Sequence, residues 1–254
     1  MAKFDFKKYG GYMLLATVIV TALFIIISAT RSGSSRRCKG LVVKISNNTD
    51  QFLVSKEEIE KSVTQFGNDP VDGKILENID LKKLEKRVLR NKQIKSCEAF
   101  TDLNGQLIIE AEPYIPVARV LGEGVREDRY MDEEGTFFPV SKVHSSKVPL
   151  LSGVFFTNLK GLKAEKNQDV MALVNRLIKD PFWSAQITQI NVERDKEVYL
   201  VPLLGEHKIE FGKPEKIESK LKKLMVFYQQ ILPNKEWEGF EHISLKYENQ
   251  IVCN

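Results

Sequence analysis

The chain has 254 residues, with 38 Lys+Arg against 34 Asp+Glu and three cysteines. A formal net charge of +4, with the two signs interspersed, excludes the basic stripe a nucleic-acid partner requires. Cys38, Cys97 and Cys253 are odd in number, far apart and without metal-ligand spacing, which excludes a disulfide framework and a zinc site.

The first predicted element is a membrane span. Residues 9–30, 22 in all, carry no charge. At about 1.5 Å per residue they make a helix of roughly 33 Å, enough for a hydrocarbon core of about 30 Å. A cleaved signal peptide fits less well: its apolar region is usually about 7–15 residues, and Ser28-Ala29-Thr30-Arg31 is a poor cleavage site. Thr17 and Thr21, beside Ala22, form a small-residue face that suits a partner helix or lipid equally. Lys3, Lys7 and Lys8 precede the span and Arg31, Arg36, Arg37 and Lys39 follow it, so flanking charge does not set orientation. The basic residues after the span, with Ser32–Ser35, read as a juxtamembrane linker over 31–40. Removing Lys3, Lys7, Lys8 and Asp5 leaves residues 31–254 with 35 basic and 33 acidic side chains, enough length for one large or two small domains.

Leu41–Ile45 is a compact strand, closed by Asn47-Asn48-Thr49-Asp50. Ser55-Lys56-Glu57-Glu58 is a capping box, opening a helix with Ile59, Val63 and Phe66 inward. A second helix from about Asp80 turns Leu81, Leu84, Val88 and Leu89 to one face. Strands over 94–101 and 106–112 flank Leu103-Asn104-Gly105, a hairpin signal. The order is β-α-α-β-β, a small domain over 41–113.

Beyond Pro113 the spacing predicts a strand over 116–121, a hairpin across Glu133-Glu134-Gly135, and a buried loop or strand over 148–153. A helix follows over 168–179, then strands over 186–193, 197–201 and 208–211. From Pro214 a helix carries Ile217, Leu221, Leu224, Tyr228 and Ile231 as one stripe. Ile243, Leu245 and Tyr247 alternate with Ser244, Lys246 and Glu248, predicting a last strand over about 241–253.

The residues of catalysis are missing. His144, His207 and His242 form no metal-binding pair, and no G-x-S-x-G or S-x-x-K appears. Gly122-Glu123-Gly124 reads as a turn, and Asp132-Glu133-Glu134 as an exposed hairpin tip rather than a calcium site. No enzyme activity, cofactor, metal or small-molecule substrate is expected.

The order of pieces resembles the bacterial cell-division family FtsQ/DivIB, with a POTRA domain as its first module. Ser55–Ile59 is similar to the family's first helix, and Leu84 with Ile94, Cys97 and Ala99 to its run into the second strand. Leu107–Glu112 followed by Pro116-Val117-Ala118 resembles the junction between domains. Tyr130–Phe138, Ile209–Gly212 and Ile243–Tyr247 resemble three motifs of the second domain; Ser244 and Lys246 depart from an acidic residue and an arginine.

The resemblance implies an α+β fold: a single transmembrane helix over 9–30 after a cytoplasmic stub of 1–8, a POTRA domain over 41–113, and a mixed β domain over 114–254 with a long helix and a terminal edge strand. It implies a non-enzymatic scaffold of the inner membrane, N-terminus cytoplasmic, both domains periplasmic or extracytoplasmic, at the division septum. Its implied partners are FtsB-like and FtsL-like bitopic proteins, bound by strand addition at the C-terminal sheet edge, with the bilayer contacted through 9–30. The residues implied for partner binding are Tyr247, Leu245, Lys246, Asn249 and Ser244. A membrane-anchored POTRA-type envelope assembly or transport protein is the alternative.

Overall fold

The computed structural model describes residues 6–33, 36–46, 54–122, 124, 126–141, 145–231, 233, 240–248 and 250–254. Helix α1 (Phe6–Gly33) runs for 28 residues, about 42 Å at the rise of an α-helix. Its side chains are described over 14–27, and all of them are exposed. Thr17 and Thr21 donate their hydroxyls to the carbonyls of Leu14 (2.8 Å) and Val18 (2.9 Å), so these donors are satisfied within the helix. Among the described residues no helix is long and apolar enough to cross a membrane. The expected helix is present.

The chain folds as two compact units that divide between Glu112 and Pro113. The first contains β1 (Leu41–Ile45), α2 (Lys56–Val63), α3 (Leu81–Val88), β2 (Ile94–Thr101) and β3 (Leu107–Pro113). Its sheet has the order β1-β3-β2, with β1 parallel to β3 from Leu41↔Leu107 to Ile45↔Ala111. The Ser55 hydroxyl accepts the Glu58 amide at 3.2 Å while the Glu58 carboxylate accepts the Ser55 amide at 3.1 Å, so the capping box starts α2. Asp80 accepts the Lys83 amide at 3.0 Å and starts α3. Ile59, Val63, Leu84 and Val88 are buried, as are Val43, Leu107, Ile109 and Ala111 of the strands.

Two expectations for this unit change, and the expected hairpin forms. Phe66 is 81% exposed, because the chain leaves α2 at Thr64 through Gln65 and Phe66, both left-handed (φ 51° and 56°), which carries Phe66 off the helical face. Leu89 is exposed, and Arg87 takes the buried place beside Val88. Its Nη1 donates to the Val63 carbonyl (2.9 Å) and its Nη2 meets Asp69 at 2.6 Å, so an arginine ties α3 to the end of α2. The hairpin closes with a three-residue loop: Asp102 pairs with Gln106 through backbone (3.0 Å) and carboxylate (2.7 Å), and Gly105 supplies the positive φ of 86°.

The second unit is built on a nine-stranded sheet: β4 (Ala118–Val120), β5 (Arg129–Met131), β6 (Phe137–Pro139), β7 (Leu150–Ser152), β8 (Ile187–Val192), β9 (Val198–Pro202), β10 (Lys208–Gly212), β11 (His242–Ser244) and β12 (Val252–Cys253). Their order is β12-β11-β10-β9-β8-β7-β4-β5-β6. The β4/β7, β7/β8 and β10/β11 pairs are parallel and the others antiparallel. Helices α4 (Gln168–Lys179), α5 (Pro181–Gln186) and α6 (Ile217–Val226) supply Leu173, Leu177, Trp183, Leu221 and Leu224 to one core with Leu151, Ile190, Leu200, Ile209 and Ile243 of the strands.

Here too the structure refines the sequence reading. The loop or strand at 148–153 is β7. Pro181 opens α5 as well as following α4, because Asp180 caps the amides of Phe182 and Trp183 at 3.0 and 3.2 Å. The buried stripe of α6 runs on to Tyr228 in the π-helical turn Phe227–Ile231, at whose end Ile231 is 40% exposed. Asp132, read as part of an exposed tip, is buried: its carboxylate accepts the amides of Glu134 (3.0 Å) and Thr136 (2.7 Å) and shapes the turn from within.

The largest correction concerns the end of the chain. The strand expected over 241–253 is two strands, β11 and β12, which pair antiparallel. The reason lies in the neighbour. Pairing with β10 ends at Glu210↔Ser244, followed by the Leu245 amide on Glu210 O at 2.9 Å; β10 itself bulges against β9 and stops at Gly212 (φ 76°), opposite Lys246 in this register, so Tyr247 has no strand to pair with.

Candidate docking edge

Strand β11 is not an edge. It is flanked by β10 through Lys208↔His242 to Glu210↔Ser244, and by β12 through Ile243↔Cys253 and Ser244↔Val252. The edge is β12. Asn254 and His242 exchange both backbone hydrogen bonds, each 3.2 Å. In an antiparallel ladder the adjacent pair is then non-bonded across the strands, so the N–H and C=O of Cys253 point outward. This is the geometry that accepts a further strand. The Cys253 thiol packs against the core and burial pushes its pKa up, while Val252 is 42% exposed on the other face.

The sequence-derived residues take different positions around this edge. Ser244 and Leu245 are buried. Lys246 Nζ lies 2.7 Å from Glu210 and 3.1 Å from Glu197, bridging β10 and the start of β9, and these carboxylates raise its pKa. Tyr247 is 53% exposed, which excludes core packing for its ring. Asn249 lies outside the described residues. Of the four described, Tyr247 presents an exposed aromatic ring, and Lys246 is exposed but ion-paired.

Around Glu210 the electrostatics are tight. Burial alone would raise its pKa, but the Lys246 ammonium, the Ser244 hydroxyl and the His242 ring beside it bring it down to about 2. The carboxylate is thus the fixed anion of the β10–β11 pair.

Three lysines on α6 and its cap complete the site. Lys216 pairs with Glu248. Lys220 donates to the carbonyls of Phe211 (2.9 Å) and Lys213 (2.7 Å). Lys223 donates to Leu245 O (3.4 Å), Tyr247 O (2.5 Å) and Gln250 O (3.4 Å). Burial lowers the pKa of both Lys220 and Lys223. Between α6 and the 245–248 turn runs a groove of about 290 Å³, bordered by Lys220, Lys223, Lys246 and Tyr247. These lysines, spaced 4 and 3 apart, look in the sequence like an ordinary solvated helical face. Nothing but that spacing signals their role.

The described histidines do not converge: His207 is buried with Nε2 3.1 Å from the Tyr228 hydroxyl, and His242 lies on β11 beside Glu210. His144 lies outside the described residues. The site is a backbone edge flanked by charge, suited to binding a chain segment.

A family model described as FtsQ/DivIB, C-terminal related, matches residues 115–254. One described as a POTRA-like domain matches residues 36–112. The cell division protein FtsQ of Rhodothermus marinus is 30% identical over 190 residues, which cover 71% of this chain and 67% of that protein.

Proposed function

Given that the chain belongs to the FtsQ/DivIB family, we propose that it is a non-enzymatic, single-pass scaffold of the division machinery that recruits FtsB-like and FtsL-like partners to the septum by strand addition at the C-terminal sheet edge. The observation that carries this reading is β12: a two-residue edge whose Cys253 amide and carbonyl face outward, beside the exposed Tyr247. Backbone bonds supply affinity, and alternating side chains of the added strand set its register. Tyr247 is the first contact, with Leu245, Lys246, Ser244 and Asn249 supporting or flanking it.

In this reading α1 is the anchor. Residues 9–30 span the inner membrane, 1–8 remain cytoplasmic, and the domains over 41–113 and 114–254 lie outside. The uncharged run carries the assignment, because a helix satisfies its own backbone where water is absent. Holding scaffold and bitopic partners in one membrane plane raises their effective concentration.

Pull-down of the FtsB-like partner by the full-length protein tests the edge. Tyr247→Glu, or truncation before Phe240, abolishes capture if the edge is the docking site; intact capture by either variant refutes it. Depletion distinguishes the envelope-transport alternative: undivided filaments support division, whereas envelope defects with normal septa support transport.

A further inference from the structure

We infer that Lys223 is a positioning residue for partner binding: its ammonium holds the 245–248 turn that follows β11 and so sets where Tyr247 and the open edge stand. The inference rests on the docking reading above and adds to it a residue on another element. The turn follows the last β10–β11 pair, Glu210↔Ser244, so its residues lie outside the paired part of the ladder. Lys223 collects three carbonyls, those of Leu245, Tyr247 and Gln250, from one point on α6. An ammonium has three donors, and here each has a carbonyl in range. Charge-assisted bonds from one ammonium to three carbonyls tether these residues together and favour one conformation of the turn.

The neighbouring lysines do related work without duplicating it. Lys220 ties α6 to the end of β10, at the Phe211 and Lys213 carbonyls. Gly212 makes room for this: a Cβ there would stand 2.9 Å from Lys246 Cγ and 3.6 Å from Lys220 Nζ. Lys216 reaches only the exposed Glu248. Lys223 alone among the three binds the backbone of Tyr247. A turn that is already ordered loses less freedom when the partner strand adds, which favours tighter binding without a direct contact.

The test is a double-mutant cycle on the full-length protein in detergent or nanodiscs, with the extracytoplasmic segment of the FtsB-like partner as probe. Lys223→Met keeps the hydrocarbon stem and removes the donors. It raises Kd about tenfold, the loss expected for a charge-assisted hydrogen bond. Lys223→Arg, which keeps a cation, stays within about threefold of the parent. Backbone amides of residues 245–248 exchange faster in Lys223→Met, while those of β8 and β9 are unchanged, which establishes that the sheet is folded. Combined with Tyr247→Ala, Lys223→Met adds little, because the two act as one unit. Full additivity, or a Lys223→Met variant that binds normally while Tyr247→Ala does not, overturns the positioning role and leaves the docking edge standing. If neither variant changes binding, the docking reading falls and the positioning role with it.

Discussion

Replacing Arg87 by methionine isolates what a buried guanidinium contributes to the first unit. Arg87 is 6% exposed and makes two connections: to the Val63 carbonyl at 2.9 Å, and to Asp69 at 2.6 Å. The first is a charge-assisted hydrogen bond to a carbonyl at the end of α2, of about 1.5–3 kcal/mol. The second involves a carboxylate about a third exposed that also pairs with Lys74, so its loss costs at most about 1 kcal/mol. Methionine preserves most of the packing of the arginine stem, and Nε has no partner, so removing that buried donor offsets part of the loss. The sum is about 2–4 kcal/mol, carried by the α2–α3 contact. Hydrogen exchange on the full-length protein reads it directly: amides of α2 and α3 exchange roughly 30- to 1000-fold faster, at tenfold per about 1.4 kcal/mol. Acceleration of less than about fivefold shows that the guanidinium only fills space, and refutes the reasoning.

Three further outcomes follow from the geometry. Gly153 has φ 105°, and a Cβ would stand 2.2 Å from the Val192 carbonyl oxygen; Gly153→Ala therefore destabilises the second unit by about 2–4 kcal/mol in urea unfolding. Glu210 holds its proton more weakly folded (about 2) than unfolded (4.5), so the unfolded chain binds more protons in acid: stability is level above about pH 5 and declines as pH falls from 4.5 towards 2, a decline that Glu210→Gln reduces in acid-titrated melts. Burial, with Glu85 and Glu98 nearby, pushes the Cys97 thiol up to about 11; at pH 7.5 it resists iodoacetamide in the folded protein and is alkylated at an ordinary rate once urea opens the first unit.

Much of this architecture is legible from local signals. Ser55 with Glu58, the Asp102–Gly105 turn and the spacing of Val170, Leu173, Val174 and Leu177 each specify their element through short-range hydrogen bonds or one apolar stripe. What escapes is what tertiary partners decide. Arg87 looks like a surface residue until the Val63 carbonyl and Asp69 are placed beside it. Phe66 continues an apolar helical pattern, yet two left-handed residues remove it from the face. The period-2 alternation through Tyr247 is real, but a strand also needs a neighbour, and β10 stops at Gly212. For the site, Tyr247 stands out through resemblance, whereas Lys223 is one lysine among several until its three carbonyls appear.

The shortness of β12 has a mechanical consequence. Two residue pairs and the bonds of Asn254 hold it to β11, whereas β11 and β10 are joined along Lys208–Glu210 and cross-linked by Lys246 and His242 through Glu210. Force applied at this edge, perpendicular to the strands, meets a ladder whose outermost rung is its weakest. Tension peels β12 first, before the load reaches the deeper strands. The edge thus acts as a fuse, limiting the pull that the core must bear.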